Sequence, residues 1–486
     1  MFSKVVTLII GIILPKLYID SFGSEVNGLL SSISNILIYI NLLEAGVGSA
    51  STQALYKAIK EKKQDDINGI LAATDKFYKR TGIFFFLIVC ILAILYPVCV
   101  ESEISYLLVV VLILLSALPS ALRYFFQGKY TILLNADNRA YVLNTLTLVI
   151  NLATNLSKAV LIILGFNVLA VQIVSAFISV LQMFIILVYI KHRYKKLDLS
   201  AKPDELAISK KKYAMVHMVT ATIFSHIDVL VLTLFTNLKV VSVYTVYNMI
   251  YVQLSQVLKG ISNSLNASFG QLYYEDRERF GNMYKLFAVV YRYLTVTVMA
   301  TAGIMTLPFL KLYTSTFHDI NYVDKILPLL FVSAMYLETV RWPEVLGINT
   351  TGHFKETALA AVMEMMINLV LSVALAVKFD IYGVLVATTI ALLYRTLEMI
   401  HFVNKYVIFK KWKKDMIYVL FSWLFSLLMT YFSYVIIGEP QGYLALILLA
   451  GEVFVIVSVA QVFLSFLFYR IELLYIVKKV VEITKI

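Results

Sequence analysis

The chain has 486 residues, of which 60% are hydrophobic and only 15% are charged, and its mean hydropathy is +0.83. A soluble domain is about half apolar and a quarter charged, so this composition excludes an ordinary soluble globular protein. The net charge of +12 favours membrane orientation and attraction to anionic headgroups over nucleic-acid binding.

Apolar stretches of about 20 residues, each long enough to cross a bilayer as a helix, recur from end to end. They predict an all-α polytopic membrane protein with about fourteen transmembrane helices. The predicted spans are 4–20, 27–53, 81–100, 104–126, 141–165, 168–190, 213–237, 242–270, 287–311, 325–348, 357–378, 382–404, 415–437 and 443–469.

The distribution of basic residues predicts the orientation of these spans. With the N-terminus inside, 33 of the 42 Lys and Arg residues fall in inward regions, among them 123–139, and five fall in outward turns. Cytoplasmic loops carry such an excess of positive charge, so we expect both termini in the cytoplasm.

A weak internal repeat predicts the domain organisation. Residues 26–56 align with 243–273 at an offset of 217, and Phe166 aligns with Phe379 at 213. We therefore predict two parallel six-helix halves, 1–200 and 201–412, followed by two extra helices and a tail in 413–486. Parallel repeats of this kind are typical of transporters, which hold substrate between the halves.

One polar stripe lies on the predicted span 242–270, where its members repeat at helical spacing. It comprises Asn248, Tyr251, Ser255, Lys259, Ser262 and Asn266. Lys259 is about 25 Å of helix from either end, too deep to reach the surface easily. Two interpretations stay open: a cation in a substrate cavity, or a structural lysine paired with a carboxylate on another helix.

A second polar stripe occupies the span 141–165 and comprises Asn144, Asn151, Asn155 and Lys158. Asparagine amides bind sugar hydroxyls, but they also join helices in membranes. We expect these side chains to line the cavity.

Other charges within the predicted spans give further candidates. Glu44 and Asp228 are candidates for proton or sodium coupling, although Glu44 also fits a contact between helices or a pair with a lysine. Arg292 and Arg395 are further cavity candidates, and Arg395 lies three residues before Glu398, which favours an internal ion pair. No phosphate-binding loop or metal-ligand spacing occurs, so we expect no metal and no cofactor, with possible coupling to Na⁺ or H⁺.

Three segments resemble polysaccharide flippases of the Wzx type. In 13–33, Pro15, Lys16, Gly23, Glu25 and Gly28 match the end of span one and the turn after it. The segment LLEAGVGSA (42–50) is similar to an acidic, glycine-containing segment of span two, with Glu44 in place of Asp. The segment 123–142 resembles the loop that opens span five.

This resemblance implies a member of the multidrug/oligosaccharidyl-lipid/polysaccharide exporter superfamily, with the V-shaped fold of multidrug exporters and lipid II flippases. Such flippases move undecaprenyl-diphosphate-linked oligosaccharide from the inner to the outer leaflet of the bacterial cytoplasmic membrane by alternating access, for cell-surface polysaccharide (capsule or O-antigen) biosynthesis. Spans 415–469 would contact the lipid tail. Implied partners are membrane lipids, a polysaccharide polymerase and glycosyltransferases, without nucleic acid.

Two other functional classes remain as alternatives. An ion-coupled multidrug antiporter of the same superfamily prefers an acidic, aromatic cavity, and the lysines and asparagines argue against it. A membrane-embedded polysaccharide polymerase or acyltransferase is an enzyme of another class. A polymerase needs a large outward loop, and the spans leave none, so we expect a protein that is not an enzyme.

Overall fold

The computed structural model describes residues 2–44, 47–204 and 212–484, and all regular elements in these ranges are helical. The helices are α1 (Phe2–Asn41), α2 (Val47–Lys60), α3 (Gln64–Cys99), α4 (Tyr106–Leu122), α5 (Gly128–Ala136), α6 (Ala140–Ile163), α7 (Val168–Arg193), α8 (Lys212–Phe235), α9 (Leu238–Glu275), α10 (Arg277–Tyr313), α11 (Leu327–Val340), α12 (Trp342–Thr351), α13 (Phe354–Tyr406), α14 (Lys413–Ile436) and α15 (Tyr443–Thr484). The predicted all-α class is confirmed.

The 53-residue α13 consists of two helices. A straight helix of this length would extend about 80 Å, more than twice the hydrocarbon thickness of a bilayer. At Asp380 the backbone leaves the helical region, with φ of 46° and ψ of −131°. The Asn368 amide then donates to the Thr388 hydroxyl at 3.2 Å, so the chain folds back on itself. This turn lies between the predicted spans 357–378 and 382–404.

Hydropathy separates the helices that can cross a membrane from the others. Among the described residues, ten helical stretches are long and apolar enough, including the continuous stretch Tyr106–Ala136. The long helix α9 falls outside this group because polar side chains lower its hydropathy. A helix lies at each predicted span, while the number of membrane crossings stays a prediction.

The chain forms two compact units, Met1–Ser242 and Val243–Ile486. In the first unit, α1 packs against α4, α6 and α8, and α3 packs against α4. The core includes Leu29, Leu71, Phe85 and Leu112, all of which are fully buried. Because α8 packs on α1, it belongs to this unit; the boundaries predicted from the repeat stay a prediction.

In the second unit, α10 lies at the centre and packs against α11, α14 and α15. An apolar cluster joins α10 to α15. It contains Ala300, Ile304 and Met305 of α10 and Val453 and Val457 of α15. The last two helices are therefore an integral part of this unit.

At Gly28, the backbone of α1 lies very close to the backbone at the start of α9. A Cβ added there would lie 1.8 Å from the backbone oxygen of Leu238, at the start of α9. Backbone moves less easily than a flexible side chain, so we expect Gly28→Ala to lower the free energy of unfolding by about 1–3 kcal/mol or more. Thermal unfolding of the purified protein in detergent measures this loss.

Gly270→Ala is the matched control, because no atom lies within 4 Å of a Cβ added at that helical glycine. Its stability should stay the same or rise by up to about 1 kcal/mol, the helix preference of alanine over glycine. Equal melting temperatures for the two variants would contradict the close approach at Gly28.

Candidate functional site

The first unit presents a polar face on α6. Asn144 and Asn151 are exposed, while Asn155 and Lys158 are half-buried. Within the described residues, none of the four hydrogen-bonds to another side chain or forms an ion pair. Amides and ammonium groups are costly in lipid, so a membrane-spanning helix with this face requires water or a polar ligand beside it.

The stripe predicted on α9 lies mainly inside the second unit. Ser255 contacts Glu338 at 3.0 Å and the Thr339 hydroxyl at 2.8 Å, and Ser262 donates to the Trp342 carbonyl at 3.2 Å. Both serines are about 1% exposed. These bonds fix α9 to α11 and α12, and they satisfy the two hydroxyls without a substrate.

The two asparagines of this stripe are less completely bonded. Asn248 has a buried side-chain oxygen without a hydrogen-bond partner among the described residues. The Asn266 amide is 3.5 Å from the side-chain oxygen of Asn263, and its own oxygen likewise has no partner there. Both retain hydrogen-bonding capacity for another group.

Lys259 forms an ion pair with Glu338, at 2.5 Å between Nζ and Oε1. Its ammonium also lies 5.4 Å from the ring centre of Trp342, a cation–π contact. The Lys259 side chain remains 23% exposed. The structure therefore agrees with the interpretation of Lys259 as a lysine paired with a carboxylate on another helix. The part of its side chain that remains exposed leaves room for a second anion.

A charge-balanced network extends from this pair across α11 and α13. Arg341 bonds to Glu364 at 2.5 Å, and Arg395 lies 3.5 Å from the same carboxylate. The predicted pair of Arg395 with Glu398 is confirmed. Arg395 itself is 1% exposed. The network contains three basic and three acidic groups: Lys259, Arg341, Arg395, Glu338, Glu364 and Glu398.

Arg292 lies in a second network, which is enclosed by protein. Its guanidinium bonds to Glu344, lies 3.2 Å from the Asp415 carboxylate and donates to the Tyr469 hydroxyl at 3.2 Å. Its side chain is only 2% exposed. In this position Arg292 ties α10 to α12, α14 and α15, and no open surface leads to its guanidinium.

In the first unit, Glu44 bonds to Arg123. Glu44 ends a short 3₁₀ segment after α1, and Arg123 begins a π-helical segment that joins α4 to α5. The sequence placed Arg123 near the end of the predicted span 104–126 and in an inward region, and in the structure it lies within the continuous helical stretch Tyr106–Ala136. Ala45 and Gly46, which follow Glu44, lie outside the described residues.

Asp228 is buried in α8, close enough to Tyr39 of α1 for electrostatic interaction. Next to it, His226 Nδ1 lies 2.7 Å from the Asn35 side-chain oxygen. Coupling of Asp228 or Glu44 to an ion stays a prediction. In the described part of the chain, no group of three or more His, Cys, Asp or Glu residues is arranged to hold a metal ion.

A second row of polar residues lies on a neighbouring face of α9. Gln256 and Asn263 are exposed and Gln253 is partly so. The polar stripe predicted from the sequence does not include this row, although the spacing of 253, 256 and 263 is helical. Both faces of α9 are polar, and spacing alone does not show which one packs against protein.

An apolar cavity of about 570 Å³ lies between α10, α14 and α15. Its lining includes Met429, Phe432 and Leu449, together with the two acidic residues Glu439 and Glu452. A space of this volume and composition can hold a section of hydrocarbon chain.

The fold is similar to that of solved membrane transporters. The structure of the lipid II flippase MurJ in an inward closed conformation matches with a TM-score of 0.66 at 17% identity, covering 96% of this chain and 98% of its own. An inward-facing multidrug resistance MATE family transporter of the MOP superfamily matches with a TM-score of 0.56 at 12% identity, covering 82% and 95%. A MOP superfamily transporter from Pyrococcus furiosus matches at 0.51 and 12%, covering 84% and 96%. No family model matches the sequence, and no curated protein matches it significantly. The predicted MurJ-like and MATE-like fold is confirmed.

Proposed function

We propose that this protein is a flippase that moves undecaprenyl-diphosphate-linked oligosaccharide from the inner to the outer leaflet of the bacterial cytoplasmic membrane. The carrying observation is the α6 face, where Asn144, Asn151, Asn155 and Lys158 lie in a spanning helix without partners among the described residues. A glycan needs amide donors and acceptors of this kind. A diphosphate needs cations in a medium of low dielectric constant.

The lipid tail of such a substrate has a separate place in this proposal. The cavity between α10, α14 and α15 is mainly apolar and suits a section of polyprenyl chain. The tail then stays in a hydrocarbon environment while the diphosphate and glycan contact the polar faces. Transport proceeds by alternating access, with both termini in the cytoplasm, as the distribution of Lys and Arg favours.

A multidrug antiporter is the second candidate, because the structure also matches a multidrug resistance MATE family transporter. An antiporter that takes cationic drugs needs available carboxylates. Here Glu44, Glu338 and Glu364 are each paired with a basic side chain. The unpaired polar groups of α6 are amides and an ammonium, which favours an anionic, sugar-containing substrate.

The test is made in the native host, with the gene deleted and replaced by variants. Deletion should remove surface polysaccharide and accumulate lipid-linked precursor. Asn151→Leu should restore polysaccharide about 3- to 10-fold less efficiently than wild type at equal protein abundance, because one substrate hydrogen bond is lost.

Leu156→Ala is the matched control, since Leu156 is 64% exposed on the apolar side of the same helix. It should restore polysaccharide fully. Normal polysaccharide without accumulated precursor in the deletion strain would refute the flippase proposal. Full activity of Asn151→Leu would show that the α6 face does not contact the substrate.

A further inference from the structure

Two partly exposed ion pairs of this protein, Glu44–Arg123 and Lys259–Glu338, are related by one common offset in the sequence. Lys259 follows Glu44 by 215 residues, and Glu338 follows Arg123 by the same 215. The repeat has an offset of 217 in the segment that contains Glu44, so Glu44 and Lys259 lie two residues out of register. The two pairs thus lie near each other in the repeat, with the acidic and basic partners exchanged.

The backbone near both pairs is irregular. Arg123 begins the π-helical segment Arg123–Gln127, and Glu338 lies just before Arg341, where α11 ends and α12 begins. Glu44 ends a 3₁₀ segment. Such departures from α-helix geometry are frequent at functional sites, because they reposition side chains and allow local adjustment.

The position of Arg123 inside a continuous apolar helical stretch makes its exposure informative. It is 17 residues after Tyr106 and 13 before Ala136, or about 25 and 20 Å along an ideal helix. Yet 43% of its side chain is open. Because lipid does not solvate a guanidinium, this open surface faces water or a polar ligand.

Two buried ion pairs of the same protein, those of Arg292 and of Lys129, are closed by comparison. The side chains of Arg292 and Lys129 are 2% and 9% exposed. Arg292 contacts the carboxylates of Glu344 and Asp415, and Lys129 contacts that of Asp75. The Arg123 guanidinium has five N–H donors. Among the described residues, only Glu44 accepts a hydrogen bond from it. The other donors remain available to a second anion.

We propose that each of the two pairs is an anion site held by a resident carboxylate: a diphosphate that binds at one of them displaces Glu44 from Arg123, or Glu338 from Lys259. This inference rests on the proposed function and assigns its diphosphate contacts. The exchange replaces one anion by another, so neither cation is left uncompensated at membrane depth. A guanidinium binds two phosphate oxygens at once, which a lone carboxylate oxygen does not match.

Equilibrium binding of radiolabelled inorganic pyrophosphate to the purified full-length protein in nanodiscs tests the inference. Arg123→Gln should weaken binding about tenfold or more, the effect of losing a charged hydrogen-bonding partner. Glu44→Gln and Glu338→Gln should each tighten binding about threefold or more, because the competing carboxylate is removed. A purely structural pair predicts no tightening from either glutamine variant.

Arg139→Gln is the matched control, because Arg139 pairs with Asp137 at 2.9 Å in the same unit and has no part in the proposed site. Its pyrophosphate affinity should equal that of wild type. Unchanged binding in Arg123→Gln, or weaker binding in both glutamine variants, overturns the inference. Should Arg123→Gln fail to fold, the two glutamine variants decide the result by themselves.

The outcome separates this inference from the proposed function. Wild-type protein that binds no pyrophosphate refutes the anion sites, while precursor accumulation in the deletion strain still supports a flippase. The purified variants can instead show the expected opposite effects on pyrophosphate binding while the deletion strain makes normal polysaccharide without accumulated precursor. That result supports the anion sites and refutes the proposed function.

Discussion

Replacing Arg292 by methionine is expected to lower the free energy of unfolding by about 3–5 kcal/mol. The substitution removes the one basic group that bonds to Glu344 within the described part of the chain, and the Glu344 side chain is fully buried. It also leaves Asp415 without its arginine partner. A buried carboxylate without a compensating charge is strongly destabilising. Unfolding by denaturant in mixed micelles, with protein abundance in the membrane, measures the loss.

Adding Glu344→Gln to Arg292→Met should recover part of this stability, because the amide carries no charge that needs a partner. Arg470→Met is the control, since Arg470 is exposed and lies 5.6 Å from the Phe466 ring. We expect a change within about 0.5 kcal/mol for that surface position. Similar losses in Arg292→Met and Arg470→Met would show that the Arg292 network does not hold α14 and α15 to α10.

Replacing Lys259 by methionine is expected to reduce transport of lipid-linked precursor about 10- to 150-fold. This factor corresponds to the free energy of one hydrogen bond to a charged group. The same change leaves Glu338 unpaired and lowers stability. The double variant Lys259→Met/Glu338→Gln removes that unpaired charge, so its stability should recover while its transport stays low. Precursor translocation in proteoliposomes and thermal unfolding provide the two measurements.

Lys63→Met serves as the control for this experiment. Lys63 pairs with Glu61 at 2.7 Å, but both side chains are exposed to solvent, and such surface pairs contribute little to stability. Its transport and stability should match those of wild type. Wild-type transport in the double variant would limit Lys259 to pairing with Glu338 and remove it from the substrate site.

Local features of the sequence predicted a large part of the fold. The apolar stretches predicted the all-α class and the place of the helices, including the turn at Asp380 within α13. The pair of Arg395 and Glu398 was also predictable, because residues three apart lie on one side of a helix. Each of these features depends on neighbours in sequence.

The direction of a polar face was not predictable in the same way. Ser255 and Ser262 share a helical stripe with Lys259, but they bond to α11 and α12 inside the second unit. The stripe on α6 has the same kind of spacing and remains unpartnered among the described residues. A helix face that packs against protein and one that lines water both keep polar residues away from lipid.

By itself, the sequence determined that this is an all-helical membrane protein with deep polar and charged residues, because hydropathy and helical periodicity are properties of contiguous residues. Only the tertiary structure decided which charges meet. Glu44 and Arg123 are 79 residues apart, as are Lys259 and Glu338. A contact between helices depends on their packing, so these two charge-exchanged pairs emerged only once the helices were in place.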